Sequence, residues 1–156
     1  MKPFFLFLLI PLFTFGQFEQ SIKLKVAAIQ NFSHKGEEGV TEYWQTKGKI
    51  TYAIVNYTEE QNPIFKELFI KQYEEILPIY TKMIVSEDEN DTHLFIKILI
   101  RQEQDYRNLL TKEQLKLYLN QLEIFEKNNP QANESYSSLF FSENLLKEYI
   151  ARFEIN

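Results

Sequence analysis

The 156-residue sequence contains no cysteine, which excludes disulfide bonds and a cysteine nucleophile. Glycine and proline are scarce, with four and five residues, and no Gly/Ser-rich linker is present. The sequence also has no glycine-rich phosphate loop and no Gly-x-Ser-x-Gly elbow. The residue types needed for covalent catalysis are missing or isolated, so we expect a protein that is not an enzyme and is held together by packing alone.

The sequence also has no excess of basic over acidic residues. Lysine and arginine together number 17 against 22 aspartates and glutamates, which gives a net charge of −5. Binding of phosphate backbones needs a concentrated basic face, so we expect no nucleic acid partner.

Histidine is almost absent, because only His34 and His93 occur. Metal ligands on a helix are typically four residues apart, and neither histidine has a second histidine at that distance. Glu38 lies four residues after His34, but Gly36 and Gly39 predict a loop there and not a helix. The acidic segment 87–91 beside His93 lacks the glycine and the terminal glutamate of an EF-hand loop. The sequence therefore predicts no metal site and no cofactor; weak metal capture by His93 with Asp91 and Glu89 is the alternative to a solvated helix start.

The first sixteen residues have the pattern of a secretory signal peptide. A positive end at Lys2 is followed by thirteen uncharged residues, 3–15, and by small residues at Thr14 and Gly16. A membrane span is the alternative, but it needs about 20 apolar residues and Pro11 interrupts this run. We therefore expect cleavage after Gly16 and a single mature domain, 17–156, without a stable membrane span in the periplasm of a Gram-negative envelope or outside the cell.

Two segments share the form apolar-Thr-x-x-Gln. They are Tyr57-Thr58-Glu59-Glu60-Gln61 and, fifty-three residues later, Leu110-Thr111-Lys112-Glu113-Gln114. In such a capping box the threonine hydroxyl accepts from the backbone N–H three residues on, and the glutamine returns to the backbone N–H of the threonine. Each box therefore predicts the start of a helix, and Leu110 is placed to pack onto Leu115 as a hydrophobic staple.

Apolar residues at steps of three and four predict helices after both boxes. The first is a long helix over 59–85, with Pro78 either kinking or dividing it, and Asn62 with Pro63 offers an alternative start. Further helices are predicted over 92–109, 112–128 and 142–153, the last capped by Ser142. The sequence thus indicates an all-α fold, a small hairpin or bundle of about four to six helices.

The segment 18–56 is ambiguous between helix and strand. Ile22, Val26 and Ile29 fit a short amphipathic helix, although Ile22, Leu24 and Val26 also alternate. The segment 49–55 is rich in β-branched residues, yet the stripe over 40–55 has helical spacing. We expect helix in both, because the rest of the chain is helical.

Phenylalanine, tyrosine and tryptophan make up 15% of the chain, and many lie on the predicted stripes. One interpretation is a core built from large side chains. The other is that some aromatic residues lie on a concave surface and bind apolar segments of a client protein. The candidates for such a surface are Phe69, Tyr73, Tyr80 and Tyr118.

Two Leu-Thr-x-x-Gln-type helix starts in a small exported helical chain without cysteine resemble the LTxxQ-motif family of envelope stress proteins, the Spy/CpxP-like proteins. The resemblance covers about residues 56–128; the second box matches the motif fully, and the first has Tyr57 in place of leucine. It implies a helical hairpin that dimerises into a curved cradle and either holds unfolded proteins without ATP or reports stress to a membrane sensor. The acidic charge of this chain departs from the basic concave surface typical of the family.

These observations together predict a periplasmic binding protein that holds unfolded or partner polypeptides on an apolar, aromatic helical face. The alternative is a signalling or metal-responsive regulator that binds one defined envelope partner.

Overall fold

The computed structural model describes residues 21–86, 88–128 and 138–153. Within these ranges the fold is all-α, with six helices and no strand, as the sequence predicts. The helices are α1 (21–33), α2 (Glu37–Val55), α3 (Asn62–Ser86), α4 (Glu89–Leu109), α5 (Lys112–Asn128) and α6 (Glu143–Phe153). The predicted signal peptide, 1–16, lies outside the described residues.

The described part of the ambiguous segment 18–56 is helical over 21–33 and 37–55, so the strand alternative for 49–55 is excluded. Helix α2 ends at Val55, and its C-cap Asn56 adopts the left-handed conformation (φ 47°) and donates its N–H to the carbonyl oxygen of Tyr52. Asparagine tolerates this conformation better than most residues, so it ends the helix at low cost.

Helix α3 begins at Asn62, three residues later than the predicted 59, and Pro63 occupies its first turn. The ring has no N–H, and the first turn is where a missing N–H is tolerated. The helix continues through Pro78 to Ser86, so this proline does not divide it.

Helix α4 begins three residues earlier than predicted. Asp88 caps it by accepting the N–H of Asn90 at 2.9 Å, so the helix starts at Glu89 rather than at 92. Helix α5 has the predicted bounds, and Ser142 caps α6 by accepting the N–H of Leu145 at 3.2 Å.

Helices α2, α3 and α4 run antiparallel to their neighbours. Lys47 of α2 bonds Gln72 of α3, and Gln72 bonds Gln102 of α4. Near the far end of the α3–α4 hairpin Lys82 pairs with Asp91, with Nζ 2.7 Å from Oδ1. The two arms of the hairpin are 25 and 21 residues long, so the end of α4 returns to the level at which α3 begins.

Helices α1 and α2 cross at Gly39. A Cβ atom added there would lie 2.0 Å from the carbonyl oxygen of Phe32, which is fixed backbone. Only glycine permits this close approach, so Gly39 sets the distance between the two helices.

Candidate functional site

The first box has the geometry of a capping box. The Thr58 hydroxyl accepts from the N–H of Gln61 at 3.3 Å, and the Gln61 side-chain oxygen accepts from the N–H of Thr58 at 3.0 Å. Residues 59–61 form a turn that leads directly into α3, since the N–H of Asn62 donates to the carbonyl oxygen of Thr58. The box therefore forms the turn before α3, and the helix itself begins at Asn62, the alternative start that the sequence offered.

The second box repeats this geometry and caps α5 directly. Thr111 Oγ1 accepts from the N–H of Gln114 at 3.2 Å, and Gln114 Oε1 accepts from the N–H of Thr111 at 3.1 Å. Leu110 is buried, and Leu115 is partly buried and packs against the same core. Both predicted boxes are thus present, and both glutamines make the predicted return bonds.

The two boxes are also in contact with each other. The Gln61 amide nitrogen donates to Gln114 Oε1 at 3.1 Å, and the Gln114 amide nitrogen donates to Gln61 Oε1 at 2.9 Å. Each Oε1 accepts one bond from its own threonine N–H and one from the other box, which uses both of its lone pairs. We call the two boxes with this reciprocal amide pair the joined boxes.

The sequence predicted each box but not their contact. The available signal was two motifs of the same form separated by one helical hairpin, because a hairpin with arms of similar length returns the chain to its starting level. Gln61 and Gln114 are therefore brought together by the α3–α4 hairpin between them.

The predicted client-binding aromatics lie in the core rather than on a surface. Phe69, Tyr73, Tyr80 and Tyr118 are only 0%, 1%, 4% and 0% exposed. Tyr73 packs on Tyr43 with ring centroids 5.0 Å apart, and Tyr118 meets Tyr106 edge-on at 5.0 Å. The prediction that these four residues form an accessible face was wrong, because the helices of the same chain cover it.

Buried polar side chains connect α2, α3 and α4. Gln72 and Gln102 exchange bonds, each side-chain nitrogen donating to the other's backbone carbonyl at 2.8 and 2.9 Å. Gln102 also donates to Glu75 at 2.9 Å, and Lys47 donates to Gln72 Oε1 at 3.0 Å. Glu75 is half-buried in this network, whereas the neighbouring Glu74 is exposed.

Two lysines are buried here, Lys47 within this network and Lys25 beside it. Lys25 donates to Ser21 Oγ at 3.2 Å and to the carbonyl oxygen of Phe140 at 2.9 Å, and Lys47 lies near the rings of Tyr43, Phe69 and Phe140. Both line a small cavity of about 20 Å³, the size of about one water molecule. Burial lowers the pKa of Lys25 to about 7, and the positive charge of Lys47 acts in the same direction against the opposing charge of Glu103.

Glu103 organises the junction of α4, α5 and α6. It accepts from the Tyr118 hydroxyl at 2.5 Å and from Arg107 Nε at 2.9 Å. Arg107 also donates to Glu143 at 2.6 Å and to the carbonyl oxygen of Phe141 at 3.0 Å. This network secures α6 to the hairpin, with charges satisfied by hydrogen bonds.

The described residues contain no cluster of three or more histidine, aspartate or glutamate side chains placed to hold a metal ion. His34 and His93 are exposed at different places on the surface. Asp91 instead accepts from Lys82 and from the Ser86 hydroxyl at 2.6 Å, and the hydrogen bond from Lys82 is the main reason why its pKa is below the usual range.

Among the described helices, none combines the length and the apolar character that crossing a membrane requires.

No family model matches the sequence, and neither a curated protein nor a solved structure matches it. The resemblance to the LTxxQ-motif family therefore stays a prediction that depends on the two boxes.

Proposed function

We propose that this chain is an exported, non-enzymatic binding protein of the LTxxQ type, which acts in the bacterial envelope by engaging one defined protein partner. The partner is bound by a folded surface and not by the aromatic stripes of the helices. Broad holding of unfolded proteins is the second candidate function.

The reciprocal pair of Gln61 and Gln114 is the observation that carries this proposal. The two motifs on which the resemblance depends are one structural unit, although they lie fifty-three residues apart in sequence. A generic helix start needs only its own threonine and glutamine. The second use of both glutamines supports a shared architecture in place of two unrelated caps.

The burial of the aromatic stripes favours a defined partner over broad holding. A protein that holds many unfolded clients needs a wide accessible apolar face. Here Phe69 and Tyr118 are enclosed by the chain's own helices. The large hydrophobic residues that remain exposed in the described region are few: Tyr52, Ile64, Ile84, Val85, Leu94, Leu109, Leu117 and Ile124.

The test is affinity capture of the full-length chain from envelope extract, together with an aggregation assay on a model client. We expect one partner at near-equal stoichiometry and no suppression of aggregation. A broad mixture of captured proteins with strong suppression would favour general holding. If the chain neither captured a partner nor suppressed aggregation, the proposed binding function would be overturned.

A matched pair of variants links the binding to the joined boxes. The double variant Gln61→Ala/Gln114→Ala removes the amide pair, and Gln30→Ala removes an exposed glutamine side chain of α1. We expect weaker partner capture from the double variant and unchanged capture from the control. Equal capture by the double variant and the control would show that partner binding does not depend on the joined boxes.

A further inference from the structure

A cleft of about 440 Å³ lies beside the first box. It is formed by one face of α2, the connection to α3 and the first residue of α3. Its lining residues are Trp44, Gln45, Gly48, Lys49, Tyr52, Tyr57 and Asn62.

The aromatic wall of the cleft is fixed by contacts inside the protein. The rings of Tyr52 and Tyr57 meet at nearly a right angle, with centroids 5.3 Å apart, and Tyr57 also packs on the buried Phe65 at 5.0 Å. The Tyr57 hydroxyl lies 3.4 Å from the carbonyl oxygen of Gly48 and 3.3 Å from Asn62 Oδ1. Because Tyr57 directly precedes Thr58, the joined boxes hold this wall in place.

The cleft nevertheless leaves aromatic surface open to solvent. Tyr52 is 53% exposed, in contrast to the enclosed aromatic residues of the core. Tryptophan and tyrosine in such positions are the residue types that dominate the energy of protein interfaces, since they offer large apolar area and lose little side-chain entropy. The side-chain amides of Gln45 and Asn62 add hydrogen-bonding groups to the same lining.

Two lysines contribute to the cleft, one in its lining and one against the Trp44 ring. Lys49 belongs to the lining, and Lys66 places its Nζ 4.6 Å from the centre of the Trp44 ring. The lining contains no carboxylate, and neither lysine forms an ion pair with any residue of the described ranges. Although the chain has a net charge of −5, these two lysines favour a negatively charged ligand at the cleft.

We propose that this cleft binds an extended acidic peptide segment of the partner, with one aromatic or aliphatic side chain inserted between Trp44 and Tyr52. Carboxylates on either side of that side chain pair with Lys49 and Lys66. The amides of Gln45 and Asn62 bond the peptide backbone. This assignment rests on the proposed function, for which it names the partner surface.

Trp44 is the only tryptophan in the sequence, so its fluorescence reports on the cleft directly. The probe is the capped peptide Asp-Glu-Phe-Asp-Glu, titrated into the full chain at low salt. Two control peptides replace either the phenylalanine by glycine or all four acidic residues by lysine. We expect a saturable change in emission with the first peptide, at least about tenfold weaker binding of both controls, and weakening by added salt.

Variants of the protein assign the signal to the cleft. Tyr52→Ala and Lys49→Glu should each weaken peptide binding about tenfold or more. The control Lys97→Glu, at an exposed lysine of α4, should change peptide binding only through the long-range charge effect that added salt also screens. Circular dichroism checks that every variant is folded. The assignment is overturned if Tyr52→Ala and Lys49→Glu leave the fluorescence change with peptide unaltered, or if wild-type protein gives no saturable change at millimolar peptide.

The result separates the cleft from the proposed function. If wild-type protein captures its partner and Tyr52→Ala captures it equally well, the cleft inference fails and the function stands. If no partner is captured by wild-type protein, the proposed function fails. Binding of an acidic oligosaccharide with the same dependence on Tyr52 and Lys49, with none of the peptide, would also overturn the peptide assignment.

Discussion

The aromatic residues of this protein fall into two groups with opposite surroundings. Those of the core, such as Tyr73 and Tyr118, are enclosed by helices of the same chain, whereas Trp44 and Tyr52 form the open wall of the cleft. Both groups belong to helices with apolar spacing. Helical spacing therefore identifies the apolar face of a helix but not whether the chain itself covers that face.

The largest difference between the two groups should appear in stability. Tyr118→Ala removes a fully buried ring and the hydroxyl that donates to Glu103, so we expect a loss of about 3–5 kcal/mol in the free energy of unfolding. Tyr52→Ala, on the cleft wall, should cost about 0.5 kcal/mol or less. Urea denaturation of both variants measures this. Similar losses would mean that Tyr52 belongs to the core.

Two glycines of α2 give a second contrast. Gly39→Ala forces a Cβ into the backbone of α1 and should cost about 1–3 kcal/mol. Gly48 faces the cleft, and a Cβ atom added there would lie 3.7 Å from the Tyr57 hydroxyl oxygen, which is an ordinary contact. Gly48→Ala should therefore stabilise the helix by up to about 1 kcal/mol. Thermal melts decide the sign of each, and a stabilising Gly39→Ala would contradict the close crossing of α1 and α2.

The core also holds a lysine that makes stability depend on pH. Burial lowers the pKa of Lys25 to about 7, whereas a lysine in the unfolded chain has a pKa of about 10.4. Between these values the unfolded state binds more protons, so the free energy of unfolding should rise with pH, by at most about 1.4 kcal/mol per unit. Below about pH 7 Lys25 is protonated in both the folded and the unfolded state, so it contributes nothing to the slope of stability with pH.

Urea denaturation from about pH 6 to about pH 9.5 measures that slope. Lys25→Met should flatten it, and Lys97→Met, at an exposed site, should leave it unchanged. Burial raises the pKa of Tyr106 and of Tyr149, so their contribution to stability is complete below about pH 10 and falls only above it. A slope that survives Lys25→Met would show that another group is responsible.

The smallest effect is expected at a buried hydroxyl. Within the described part of the chain, the Tyr73 hydroxyl is buried and makes no hydrogen bond. Tyr73→Phe keeps the ring and removes an unsatisfied polar group, so stability should stay the same or rise by up to about 1 kcal/mol. A clear loss in a urea melt would reveal a partner of that hydroxyl outside the described residues.

The sequence was sufficient for the helices and the caps, because those depend on local spacing and on side chains three residues apart. Thr58, Thr111 and Ser142 all accept the backbone N–H that their position predicts. The start of α4 was misplaced because Asp88 is the cap, and the next five residues are polar or charged without an apolar period.

The interior polar network and the cleft could not be assigned from spacing alone. Lys47 and Gln102 occupy apolar positions of their helical stripes, which was the available signal for buried polar groups. Their partners come from other helices, and the sequence does not state which helices pack together. The cleft depends in the same way on the packing of α2 against the start of α3.

The most direct test of the account is a double-mutant cycle on Gln61 and Gln114, since the joined boxes carry both the proposed function and the wall of the cleft. Urea denaturation of Gln61→Ala, Gln114→Ala and the double variant should give a coupling energy of about 1–2 kcal/mol, as two reciprocal bonds require. A parallel cycle of Gln61→Ala with Gln30→Ala should give a coupling below about 0.5 kcal/mol. Equally small coupling in both cycles would contradict the joined boxes.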